Sequence, residues 1–142
     1  MNDLRDLYQE VILDHNKQPR NFRSIHPSTH QADGHNPLCG DQVTIYLDVS
    51  DDIIQDVSFQ GRGCAISTAS ASIMTTLLKG KTIADAMQLF DQFHAMVTSD
   101  ETPSADMGKL AVLGGVRDYP SRVKCATLAW HAMQAALENR SD

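Results

Sequence analysis

The sequence predicts an α+β fold, a small antiparallel β-sheet packed against several α-helices in a single compact domain over residues 1–142. Two alternating apolar runs with a short turn between them predict a hairpin, and stripes at spacings of three and four predict helices on either side of it. A chain of 142 residues that is 42% hydrophobic has the size of one domain with a real core. No internal repeat, low-complexity tract or composition break divides it.

Leu4, Leu7, Tyr8, Val11 and Ile12 form one apolar stripe, so the chain should open with a helix that stops before Pro19. From Lys17 to about Asp33 the residues are polar and without strong period, and a long surface connection is expected. After NPLCGD at 36–41, QVTIYLDV places Val43, Ile45, Leu47 and Val49 on one face of a strand. Asp51 and Asp52 make the turn. A second strand follows from Ile53 to about Gln60, with Val57 and Phe59 inward. Gly61 and Gly63 punctuate the chain before a helix from about Ala65 to Leu78, whose small residues suit close packing on the sheet and which Gly80 stops. Thr82 and Asp85 resemble a capping pair, and Ile83, Met87, Phe90, His94 and Val97 step along the helix that follows. Ser99 to Ala105 break it. A short helix is expected at Lys109 to Leu113, ending at Gly114 and Gly115. Pro120 opens a last helix with Val123, Trp130, Met133 and Leu137 on its buried side and Cys125 in its second turn.

Twelve Lys+Arg against eighteen Asp+Glu give a formal net charge of −6, which argues against a nucleic acid or an anionic membrane as partner. MNDLRDLYQE is charged where a secretion signal needs an apolar core, and no stretch approaches the roughly 18 apolar residues of a membrane span. A cytoplasmic protein is expected. Cys39, Cys64 and Cys125 cannot all pair internally and are too few for a disulfide scaffold, so thiol or metal chemistry in a reducing compartment is the natural use.

Each cysteine lies at a structural junction: Cys39 in a Pro/Gly turn before a strand, Cys64 after G-x-G at a helix start, Cys125 near the start of the last helix. Helix N-termini lower thiol pKa values, so Cys64, and by the same reasoning Cys125, are placed to be thiolates, which soft metals bind. Asp41, two residues past Cys39, projects to the same side if that segment is extended. Three sulfurs and one carboxylate would complete a tetrahedral set for zinc or start an iron-sulfur cluster. Against this stand the ordinary roles of these residues, cysteine as a small core hydrophobe and Asp41 as a turn residue. No CxxC pair decides between them.

NPLCGD at 36–41, GRGCAISTASASIM at 61–74 and VRDYPSRVKCATLAW at 116–130, with HNKQPRN at 15–21, resemble the IscU/NifU-type family of iron-sulfur cluster assembly proteins, with the similarity closest to its SufU-like branch. The resemblance covers essentially the whole chain. It implies a compact α+β domain with Cys39, Asp41, Cys64 and Cys125 as metal ligands. In scaffold members of the family a histidine precedes the third cysteine, after a Pro-rich chaperone-recognition motif; here Lys124 stands at that place and RDYPSRV before it. The long stretch from Cys64 to Cys125 matches the branch with an insertion, here much of Ser99 to Gly114. That branch implies a zinc-dependent sulfurtransferase that takes persulfide sulfur from a SufS-like pyridoxal phosphate cysteine desulfurase. A histidine of the desulfurase would replace Cys39 on the zinc and free it as the acceptor, and sulfur would pass on to iron-sulfur apo-proteins or a downstream scaffold. The alternative within the family is a scaffold on which a [2Fe-2S] cluster is assembled and then transferred. A third reading is a zinc-stabilised binding module without catalysis.

Arg122, one turn before Cys125, is placed to steady a persulfide anion, or else is a solvated arginine at a helix start. Lys124, next to Cys125, points elsewhere on the helix. His35, four residues before Cys39, reads as a surface histidine or else as an alternate ligand or proton carrier, His15 as a brace for the N-terminal segment or part of a docking surface, His94 as a partly buried packing residue, and Trp130 as core.

Overall fold

Alternation in the two central runs becomes a hairpin. The computed structural model describes residues 3–36, 40–98, 110–111, 113–114, 116 and 119–138, with only the backbone of residues 3–8. Strands β2 (Asp41–Ser50) and β3 (Ile53–Arg62) pair antiparallel, and Val43, Ile45, Leu47, Val57 and Phe59 are all buried. Asp51 and Asp52 take φ of 54° and 63°, the two left-handed positions of a turn that matches strand twist. Aspartate tolerates that conformation better than a bulky residue.

A third strand, β1 (His30–Asn36), pairs antiparallel with β2, so the sheet order is β1-β2-β3. This corrects the expectation of a featureless connection from Lys17 to Asp33. Its inward positions hold Ala32 and Gly34, and a Cβ on Gly34 would stand 3.1–3.3 Å from Val43, Leu128 and Ala132. A helix crosses too closely there for larger side chains, so no apolar alternation marks the strand. The preceding connection is also tied down. Phe59 donates its N–H to the Asn21 carbonyl at 3.1 Å and Arg23 donates to the Phe59 carbonyl at 3.0 Å, which places Phe22 alongside β3.

Helices α1 (Asp3–Lys17), α2 (Ala65–Leu78), α3 (Ile83–Thr98) and α4 (Pro120–Glu138) complete the described elements. Helix α4 packs across β1 and β2, α2 against β3 and α4, and α1 against α2. The small residues of α2, among them Ser67, Ala69, Ser70, Ala71 and Ser72, are buried, and they serve helix contacts as much as the sheet. Ser70 Oγ donates to the Ala126 carbonyl and accepts the Trp130 indole N–H at 3.2 Å. The expected cap appears as a hydrogen bond from the Asp85 N–H to Thr82 Oγ1 at 3.1 Å.

On α3 the buried stripe is Ala86, Leu89, Phe90, Phe93, Met96 and Val97, rotated from the expected one, and His94 is exposed. Pro120 opens α4, with Trp130 and Met133 fully buried and Val123 and Leu137 at its margin. The expected break at Ser99 to Ala105 lies outside the described residues; within the expected short helix from Lys109 to Leu113, the described residues Leu110, Ala111 and Leu113 take a 3-10 conformation, and Leu110, Leu113 and Val116 are fully buried. Among the described residues no helix is long and apolar enough to cross a membrane.

Candidate metal centre

Three elements deliver one acidic side chain each to a single point. Asp41 is the first residue of β2, where β1 and β2 end their pairing at Asn36 and Asp41. Cys64 follows β3 and caps α2, its sulfur accepting the Ser67 N–H at 3.4 Å. Cys125 sits in the second turn of α4. One ligand atom from each lies within 4.8 Å of the others.

Asp41 is 2% exposed and both its oxygens face Cys64. Oδ1 accepts the Cys64 backbone N–H at 2.9 Å, and Oδ2 accepts the thiol at 3.6 Å. Gly63 permits that approach: a Cβ there would stand 2.9 Å from Asp41 Oδ1 and 3.0 Å from its Cγ. The sequence showed the G-x-G before Cys64 as punctuation; its role at the carboxylate needs the strand end and the helix start together.

The donor set fits a metal. With Zn–S about 2.3 Å and Zn–O about 2.0 Å, neighbouring donors of a tetrahedron stand about 3.5 Å apart, close to the 3.6 Å between Cys64 Sγ and Asp41 Oδ2. Cys125 is 8% exposed, and burial pushes its thiol well above the ordinary range, with Cys64 and Asp41 adding to the rise. A helix start therefore does not make Cys125 a thiolate, contrary to the sequence expectation. A cation placed among the three groups would supply the missing charge.

Cys39 lies outside the described residues. Gly40 has φ of +76° and donates its N–H to the Asn36 carbonyl at 2.8 Å, so the chain turns there. The extended geometry assumed for aligning Cys39 with Asp41 does not hold. Arg122 is exposed, with its guanidinium 4.5 Å from the centre of the Tyr119 ring, and Lys124 is exposed as well. His35 is exposed on β1. His15 is buried and braces α1 to α2, its Nδ1 lying 2.7 Å from Ser72 Oγ, which also accepts the Arg20 N–H at 2.8 Å.

Residues 7–126 match the family model of the NifU-like N-terminal domain. The chain belongs to that family. This NifU-like chain is 42% identical over 136 residues to the zinc-dependent sulfurtransferase SufU of Bacillus subtilis, covering 95% of its own length and 92% of that protein. It is 36% identical over 143 residues to the iron-sulfur cluster assembly scaffold protein IscU of Streptococcus pyogenes, covering 100% of its own length and 89% of that protein. The crystal structure of a NifU-like N-terminal domain from Brucella abortus superposes with a TM-score of 0.86 at 25% identity, over 94% of this chain and 93% of that one. The NifU-like fold thus carries an iron-sulfur cluster assembly family's features, with Asp41, Cys64 and Cys125 able to bind a metal.

Proposed function

We propose that this chain is a zinc-dependent sulfur acceptor that takes persulfide sulfur from a pyridoxal phosphate cysteine desulfurase and passes it toward iron-sulfur cluster assembly in a reducing cytoplasm. The observation that carries the reading is the cluster of buried Asp41 and Cys125 with half-buried Cys64. Cys39, two residues from Asp41 in sequence, is kept by covalent reach within about 7.6 Å of it between Cα atoms. The SufU relative, named a zinc-dependent sulfurtransferase, supports the same choice.

Cys64, Asp41 and Cys125 hold the ion and Cys39 completes the set. Zinc, when bound, supplies the positive charge that lets buried thiols lose their protons at neutral pH. Asp41 ties the start of α2 through the Cys64 N–H, and Ser67 aims its own N–H at the Cys64 sulfur, so two hydrogen bonds orient this part of the site. The acceptor step belongs to Cys39. Its thiolate attacks the outer sulfur of the desulfurase persulfide and a new S–S bond forms at Cys39. The old S–S bond breaks with its electron pair on the desulfurase cysteine, so the exchange has no net oxidation. Arg122, stacked on Tyr119, stands at the start of the helix that bears Cys125 and steadies the resulting persulfide anion.

Mixing the purified protein with an active cysteine desulfurase and cysteine tests the reading. With an added dithiol to reduce the persulfide, sulfide release should rise severalfold; without it, mass spectrometry should find a persulfide on Cys39. A folded Cys39→Ala protein that stimulates as well as the original would overturn it. The scaffold reading is favoured by the IscU relative. Against it, Lys124 presents an ammonium, which has no lone pair for a metal, where scaffold members of the family have histidine. Anaerobic reconstitution of a [2Fe-2S] cluster, followed by its intact transfer to an apo-protein, would decide for the scaffold.

A further inference from the structure

Two histidines outside the cysteine cluster meet across helices. His94 on α3 and His131 on α4 are both exposed, and their ring centroids lie 6.0 Å apart at an interplanar angle of 77°. Phe90, one turn before His94, walls both rings. It meets His94 at 6.0 Å and 87°, and His131 at 5.1 Å and 86°. Phe90 is itself buried and stacks on the fully buried Trp130 at 6.0 Å and 22°. The core therefore fixes the platform on which the two imidazoles stand, while the rings remain at the surface.

We propose that His94 and His131 form a second binding site, for a divalent d-block ion of the imidazole-preferring kind such as Ni2+, Cu2+ or Zn2+. Two imidazoles on one ion, at metal–nitrogen distances of about 2.0–2.1 Å, place their ring centroids roughly 4.5–6.4 Å apart as the angle at the metal opens from about 90° to 180°. The observed 6.0 Å falls inside that range. Waters complete the coordination sphere on the solvent side. Neutral imidazole suits borderline ions better than calcium or magnesium, which favour oxygen ligands. Bound there, the ion links α3 to the helix that carries Cys125, so occupancy of the histidine pair stabilises the seating of α4.

Nickel titration of zinc-loaded protein tests this site, followed by calorimetry and by thermal unfolding, with zinc content measured throughout. The original protein should take up one Ni2+ at least about tenfold more tightly than either His94→Gln or His131→Gln, since each variant leaves a single imidazole. Added nickel should raise Tm in the original and in neither variant, because only a two-helix link favours the folded state at this position. Both residues are exposed, so the variants should fold, and circular dichroism confirms it. Equal nickel affinity in all three proteins would overturn the proposal. So would loss in one variant alone, which is a one-histidine site, or zinc displaced in step with nickel uptake, which is exchange at the cysteine cluster. None of these outcomes bears on sulfur acceptance by Cys39.

Discussion

Helix α4 contributes to two places where a metal can be held, and burial acts on them in opposite chemical senses. Cys125 is buried beside Asp41 and Cys64, whereas His131, further along the same helix, stands at the surface beside His94. Burial favours the uncharged form of any group. For Cys125 that form is the thiol, which is a poor ligand, so the cysteine cluster gains its binding form only together with a cation. Partial burial lowers the pKa of His131, with the His94 charge adding to it, and the uncharged imidazole is already the ligand. The first site thus couples metal to the ionisation of its own residues; at the second, His131 waits in its binding form.

Removal of one sulfur should break that coupling most severely. Cys64→Ser or Cys125→Ser leaves a hydroxyl that stays protonated, and zinc affinity should fall by more than about 100-fold, with Tm falling alongside because site and fold share the ion. Competition with a chelator of known affinity measures the first and a thermal melt the second. A middle-sized effect is expected from Gly63→Ala, which alters no ligand. Its Cβ would stand 2.9 Å from Asp41 Oδ1 and push the carboxylate off the Cys64 N–H. Zinc affinity should drop about 10–100-fold, as for other partners that orient ligands, and stability by about 1–2 kcal/mol. Nickel uptake at His94 and His131 should be untouched. Unchanged zinc affinity in that variant would show that Asp41 orientation does not matter to the cluster.

The two sites also differ in how far the sequence reveals them. Cys64 and Cys125 are separated by 61 residues and no short motif joins them, yet each stood at an element boundary that alternation and helical spacing could place. The hairpin and α2 were legible for the same reason: strong period and clear stops. Strand β1 was hidden because packing under α4 requires Ala32 and Gly34 at its inward positions, which erases the alternation that marks a strand. On α3 apolar residues line more than one face, and the stripe through His94 competed with the true one through Leu89, Phe90 and Phe93. That error concealed the histidine pair, since a residue assigned to the core is not sought as a surface ligand. No local pattern announces His131, whose neighbour Trp130 is fully buried. Only the packing of α3 on α4 brings the two rings together.

The smallest expected effect lies in the pH dependence of stability, and it tests the claim that His131 waits uncharged. Its folded-state pKa is depressed, by burial first and by the His94 charge second. The unfolded chain, with an ordinary histidine pKa of about 6.5, therefore takes up a proton before the folded one does. Stability from this group is fully present above about pH 6.5 and is lost as pH falls toward and through the folded-state value. Denaturant melts of metal-free protein between pH 8 and pH 5 should show that loss. His131→Gln, which cannot be protonated, should flatten the profile, while His94→Gln removes only the lesser cause and should keep most of the slope. If His131→Gln follows the original profile across the whole range, His131 is not held neutral by its surroundings, and the contrast with Cys125 fails at the histidine end.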